Sequence, residues 1–286
     1  MTFDLSNPWL VAILGGAIGA IIAGLVLYYL FEYRKEKILK STRMTIITNA
    51  DSLLKKNMIR DALKIYAEML KIISERKDPE DYAHLKNNEG ICHSKLAELS
   101  NKEENLTKAI IAYEEALKIY TVEKYPVNYA TTQNNLGNAY STLAEVRYKE
   151  ENLTKAIQTY EDALKIRTVE KYPVDYAMTQ NNLGNAYSIL AEVRDKEEKL
   201  TKAIRAYEEA LKIRTVEKYP VDYATTQNNL GNAYTALAEV RDKEGKLTKA
   251  IRAYEEALKI YTVENYPLYR KVIMSNIERT KQRMRQ

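Results

Sequence analysis

Five of the six prolines, Pro79, Pro126, Pro173, Pro220 and Pro267, stand 47 residues apart. The chain between them repeats with the same period. Residues 173–219 match 220–266 at 41 of 47 positions, and 126–172 match 173–219 at 39 of 47. Residues 79–125 are a diverged copy. A fixed period of this size specifies an array in which each unit completes its core on its neighbours. It excludes a fold built around one closed, non-repeating core.

Each unit predicts two helices. The Tyr-Pro pair ends one helix and starts the next. In the second copy the first helix is expected at about 129–149. The second is expected from Thr154, as N-cap, to about Lys171, with a polar link at 149–152. Ala156, Ile157, Tyr160, Ala163 and Leu164 form one wide apolar stripe at helical period. The alanines 62, 109, 156, 203 and 250, and the tyrosines 66, 113, 160, 207 and 254, extend the period to an earlier unit. After Pro267 one further first-type helix carries Ile273, Ile277 and Met284 among charged residues, as a solvated cap requires. The expected fold is therefore all-α, a solenoid of antiparallel helix pairs. Its units are 44–78, 79–125, 126–172, 173–219 and 220–266, with a capping helix at 267–286.

From Trp9 to Phe31 there are 23 residues without a charge. As a helix this is about 35 Å, enough to cross a bilayer core of about 30 Å. Trp9 at one end and Tyr28, Tyr29 and Tyr33 at the other suit the two interfacial belts. No Lys or Arg precedes the run, which is also too long for a signal peptide. The expectation is an uncleaved single-pass anchor at 9–31, preceded by a short outer tail, 1–8. The basic segment 32–43 holds five Lys or Arg against two acids, which puts the solenoid in the cytoplasm. The single cysteine suits a reducing compartment. Ala12, Gly16, Ala20 and Gly24 form a stripe of small residues through which two spans can associate.

Little in the chain points to catalysis. Four of the nine glycines lie in the apolar run, four recur at one repeat position, and Gly245 is in a turn, so none is left for a phosphate-cradling loop. His84, Cys92 and His93 look like a catalytic cluster, but the register puts them where later copies carry Thr131, Ala139 and Tyr140. Asn105 and Asn152 match a glycosylation acceptor, yet the next copies have Lys199 and Lys246 there. No cofactor, metal or nucleic acid is expected, and the chain is read as a non-enzyme. The basic residues near 279–285 read as solvation of the cap.

The recurring NNLGNAY, followed by KAI, Tyr and ALKI, resembles the tetratricopeptide repeat. Leu136, Gly137 and Tyr140 fill that family's first-helix positions, and Ala156, Tyr160 and Ala163 those of the second. The resemblance covers about 44–286. The 47-residue unit exceeds the family's usual 34 and is similar to the lengthened variety of kinesin light chains, the excess being placed partly before Ala156 and partly in a longer second helix. It implies a right-handed superhelix that binds proteins. Gly90, Gly137, Gly184 and Gly231 are the expected close crossing of the two helices, because Gly inside a helix costs about 1 kcal/mol against Ala.

The resemblance also implies a concave groove lined by the first helices. Its expected lining is Thr131, Asn134, Asn138, Ser141, Met178, Asn181, Asn185, Ser188, Thr225, Asn228, Asn232 and Thr235, polar and largely uncharged. Asn134 and Asn138 are four apart and share a face, as do Asn181 with Asn185 and Asn228 with Asn232. Asn offers a donor and an acceptor to an extended peptide backbone. A second set, Asn88, Asn135, Asn182, Asn229 and Asn276, is expected to serve structure. The function expected is a membrane-anchored scaffold for a protein partner. The alternative is a structural subunit docking through its convex or lateral face.

Overall fold

The computed structural model describes residues 17–286, without side chains for 17–24 and 26. Trp9 and Gly16 of the expected span therefore lie outside the described residues, as do the side chains of Ala20 and Gly24. Eleven α-helices are described. They are α1 (Ala17–Lys55), α2 (Ile59–Leu70), α3 (Pro79–Ala97), α4 (Lys102–Leu117), α5 (Pro126–Leu143), α6 (Lys149–Leu164), α7 (Pro173–Leu190), α8 (Lys196–Leu211), α9 (Pro220–Leu237), α10 (Lys243–Leu258) and α11 (Pro267–Arg285). The chain divides into two compact units, one ending at Met69 and the other Leu70–Gln286.

In the first unit, α1 runs unbroken from Ala17, within the segment read as span, through the basic linker and the first repeat helix. Among the described residues no helix is long and apolar enough to cross a membrane. Leu27, Tyr28, Tyr29, Leu30 and Phe31 are exposed. Farther on, Ala50, Ala62 and Tyr66 are fully buried, and the Tyr66 hydroxyl donates to Asp51 Oδ1 at 2.7 Å.

In the second unit each helix packs on the next, from α3 to α11. Successive first-type helices also touch: α3 with α5, α5 with α7, α7 with α9 and α9 with α11. Among the described residues no two second-type helices meet. The stack is thus tighter on the first-helix side, which becomes its inner face.

The local structure follows from the repeated residues. Proline opens every first-type helix at N1, where its missing N–H would have no partner anyway. The first helix ends early, at Leu143 rather than 149, and the second begins at Lys149 rather than 154. Lys149-Glu150-Glu151 is the first turn of α6, not a link, and acidic residues there interact favourably with the positive end of the helix dipole. Thr154 is not a cap, since its hydroxyl donates back to the Glu150 carbonyl at 2.8 Å. The reversal is made instead by one left-handed residue per copy: Asn101, Tyr148, Asp195 and Asp242, with φ of 46–48°.

The second helix also stops sooner than expected, at Leu164. Part of the unit's length lies in the loop 165–172, where β-branched residues weaken the helix, and part before Ala156, in the loop 144–148 and the start of α6. Thr168 Oγ1 accepts the Lys171 N–H at 3.3 Å to close a turn, and Thr121, Thr215 and Thr262 do the same in their copies.

The larger core cluster runs from Ala97 to Ile277, and a smaller one joins Ala83, Ala116 and Tyr120. The expected close crossing is present in every copy. A Cβ placed on Gly90, Gly137, Gly184 or Gly231 would lie 2.5–2.6 Å from Cε1 of Tyr113, Tyr160, Tyr207 or Tyr254, well inside van der Waals contact. The two residue types that mark the repeat in sequence thus meet each other in space.

Candidate functional site

The repeats are joined by hydrogen-bonded ladders that recur every 47 residues. In the first, Tyr160, Tyr207 and Tyr254 rise from the second helices. Their hydroxyls donate to Oδ1 of Asn138, Asn185 and Asn232 at 2.7, 2.7 and 2.8 Å. Each of these Oδ1 atoms takes a second donor from the next copy: Nδ2 of Asn182 at 3.1 Å, Asn229 at 3.0 Å and Asn276 at 3.3 Å. Two donors fix the orientation of the amide. The acceptor of Asn138, Asn185 and Asn232 is occupied and the Nδ2 donor is left over. For Asn182, Asn229 and Asn276 the reverse holds, with Nδ2 used and Oδ1 left over. Among the described residues each rung thus keeps unpaired amide N–H groups and one unpaired amide oxygen.

A second ladder lies deeper. Thr132, Thr179 and Thr226 donate to Oδ1 of Asn87, Asn134 and Asn181 at 3.1–3.2 Å. Asn134 and Asn181 are buried, so these two expected groove residues are interior contacts between copies. The ladder fails at the cap. Ile273 stands where Thr226 stands one copy earlier, and the buried Asn228 Oδ1 has no partner.

A third ladder ties Tyr140, Tyr187 and Tyr234 to Glu114, Glu161 and Glu208 of the preceding copy at 2.7–2.8 Å. Burial and the neighbouring carboxylate push these phenols well above their ordinary pKa. On the surface Lys102, Lys149 and Lys196 pair with Glu145, Glu192 and Glu239 of the next copy.

Open space follows the first ladder. A cavity of ≈ 780 Å³ is lined by Ser141, Asn185, Ser188 and Asn232, with Ile189 and Ala236 as its apolar part. A second, of ≈ 400 Å³, touches Asn138, and a third, of ≈ 500 Å³, touches Asn232 and Thr235. The large cavity is not uncharged, since Glu145, Glu192, Glu239 and Lys196 stand on its wall. Lys196, against the cost of burial, and then Arg283 hold the Glu239 carboxyl below the usual range. The sequence signal for this row was one acid at one register in four copies, Glu98, Glu145, Glu192 and Glu239.

The other expected groove residues lie elsewhere. Thr131 accepts from the buried Arg167 at 3.3 Å, and Arg167 also donates to Thr179 at 2.9 Å. Met178 replaces that threonine in the next copy, where Arg214 reaches only Thr226, at 2.9 Å. Thr225 bonds the Tyr261 hydroxyl at 2.7 Å. Burial lowers the pKa of both arginines, with Asp175 and Asp222 3.8 Å away in partial compensation.

The cluster that looked catalytic is dispersed. Cys92 is fully buried, and desolvation pushes its thiol up to about 12, far from a reactive thiolate. His93 Nδ1 faces Asn105 at 3.2 Å and His84 Nε2 faces Asn88 at 3.1 Å. Among the described residues no group of three or more His, Cys, Asp and Glu is placed to hold a metal. The Asn105 and Asn152 amides donate to the Ser100 and Arg147 carbonyls at 2.9 Å.

Comparison with known proteins agrees with this architecture. Residues 137–168 and 231–262 match the tetratricopeptide repeat model. Both segments begin at the repeat glycine, two periods apart. No curated protein sequence matches the chain. Three solved structures share the fold. BtubC (BKLC) from P. vanneervenii is 27% identical over 77% of this chain and 80% of its own, with a TM-score of 0.54. TTC0263, a thermophilic TPR protein in Thermus thermophilus, is 18% identical over 82% and 99%, with a TM-score of 0.51. The MamA protein is 19% identical over 78% and 93%, with a TM-score of 0.51. Residues 137–168 and 231–262 thus carry tetratricopeptide repeats, and the described helices stack as the helical solenoid that these structures share.

Proposed function

We propose that the inner groove of the second unit holds an extended segment of a partner protein by its backbone and performs no chemistry on it. The observation that carries this reading is the amide ladder. At three successive copies an asparagine donor and an asparagine acceptor have no partner among the described residues, and all of them but Asn182 line open space. A peptide group carries the complementary pair, a C=O and an N–H. The amides are held rigid by a buried tyrosine hydroxyl and a neighbouring amide, so little conformational entropy is lost on binding.

The lengthened, kinesin-light-chain-like unit and a right-handed superhelix belong to the same reading. So does the anchor, which would keep the groove at the cytoplasmic face of a membrane. It is supported by the uncharged run at 9–31, the basic segment after it and the exposed apolar surface from Leu27 to Phe31. The small-residue stripe would pair two such spans. Protection of the second unit from protease added outside sealed cells, with loss of that protection on permeabilisation, is the result expected.

The test of the groove is Asn138→Ala, Asn185→Ala and Asn232→Ala combined in the full chain, followed by partner retention on beads. At about 1 kcal/mol per rung the loss should be about 100-fold. Because the charges on the groove wall are already paired, binding should weaken little between low and moderate salt. A second reading, lateral docking of a structural subunit, is favoured by the exposed rows Val127, Val174, Val221 and Val146, Val193, Val240 on the repeat ends. Retention that survives the triple variant selects it.

A further inference from the structure

The amide ladder stops at one end in a way that makes a different subsite. Ile91 occupies the position of Asn138, Asn185 and Asn232 in the diverged copy. With no acceptor there, Tyr113 keeps only the hydroxyl contact to Ser94, at 3.2 Å, which Tyr207 and Tyr254 make to Ser188 and Thr235 beside their asparagine bonds. Asn135, whose counterparts Asn182 and Asn229 donate across the rung, has no acceptor to reach. Among the described residues its amide makes no hydrogen bond and is only half-buried. Both groups border the cavity of ≈ 400 Å³, whose apolar wall is Ile91, Ala97, Leu106 and Ala139 and whose charged wall is Lys95, Glu98 and Lys102, the last paired with Glu145. The cavity is continuous in register with the ladder, since Asn138, the first rung, also lines it.

We propose that this cavity is a side-chain pocket that takes one large apolar residue of the segment held in the groove, and so sets the register of that segment. The inference rests on the groove reading above. Three equivalent rungs would let an extended backbone bind in several registers with similar affinity. A single non-equivalent pocket at the end of the ladder breaks that degeneracy. Ile91 supplies an apolar wall where the other copies have an amide. The free amide of Asn135 meets the peptide group next to the anchored side chain.

The experiment uses the full chain in detergent and an array of random 12-residue peptides, N-acetylated and C-amidated. The expected binders share one large aliphatic or aromatic residue at a fixed position, and its replacement by Ala weakens them about tenfold, as partial burial of one such side chain predicts. Ile91→Asn restores the repeat residue, with Tyr113 and Asn135 waiting as donors, and should reduce that preference to about twofold or less while binding persists. Ile91→Phe fills the same space and should also remove the preference. A melting scan of each variant separates lost folding from lost recognition. A preference unchanged in folded Ile91→Asn and Ile91→Phe overturns the pocket alone, provided the triple asparagine variant no longer binds. Binding retained in the triple variant, or no peptide bound above background, overturns the groove reading and the pocket with it.

Discussion

Gly184→Ala adds one methyl group at the tightest point of a repeat. The new Cβ would sit 2.6 Å from Cε1, 2.7 Å from Cδ1 and 2.9 Å from Cζ of Tyr207, where carbon pairs settle at about 3.5–4.0 Å. Relief needs a shift of about 1 Å in the ring. The ring is 2% exposed, and its hydroxyl is tied to Asn185 and Ser188. Overpacking of this kind costs about 1–3 kcal/mol. The better helix propensity of Ala returns about 1 kcal/mol, so the net loss should be about 0–2 kcal/mol. The molecule contains its own control. A Cβ at Gly245, in the first turn of α10, meets only the side chain of the exposed Asp242, and sister copies already carry Glu151 and Glu198 there. Gly245→Ala should therefore stabilise by up to about 1 kcal/mol. Urea midpoints at unchanged slope read the difference between the two variants, expected at about 1–3 kcal/mol. In a Tyr207→Leu background the penalty at Gly184 should largely vanish, because the ring edge it strikes is gone. Equal stabilisation by Gly184→Ala and Gly245→Ala would refute the steric reasoning.

Other perturbations read other links. Tyr148 is the one aromatic residue among the left-handed turn positions, so Tyr148→Asn should raise the melting temperature by the equivalent of about 0.5–1 kcal/mol, net of the lost contact with the Arg147 guanidinium. Asn181→Ala removes an acceptor that the buried Thr226 hydroxyl shares with the Asp222 carbonyl and should cost about 0.5–1.5 kcal/mol, whereas Asn228→Ala removes an acceptor with no partner among the described residues and should cost measurably less in the same denaturation assay. Tyr113, Tyr160 and Tyr207 have phenols pushed far up by burial. Their folded pKa lies above the unfolded value near 10, so their contribution is complete below pH 10 and is lost as pH rises beyond it. At pH 11 each should have given up about 1.4 kcal/mol, so circular dichroism should show steep alkaline unfolding, and a flat profile to pH 11.5 would count against burial.

How much of this was legible beforehand depended on whether a residue's partner lies within its own repeat. Gly137 and Tyr160 stand out because each copy needs both, and their contact is a matter of one helix crossing another inside a unit. The same holds for Pro126 and the alanines. Helix ends were less legible. The turn at Tyr148 and the loop 165–172 turn on a left-handed residue and a threonine side chain, which helical periodicity does not register. The groove was legible only in part. Asn134 and Asn138 are one helical turn apart and looked equivalent, yet one is buried under Thr179 and the other borders solvent.

The amino-acid sequence by itself determined the period, the pairing of helices and the apolar stripe each presents, because these are local or repeat on the scale of one unit. Only the tertiary structure decided which face of that pair is inner, which asparagine amides are consumed between copies, and where the ladder breaks at Ile91 and Ile273. Those outcomes depend on what the neighbouring copy places opposite each side chain, and that is set by stacking distance and angle, not by any one copy's residues.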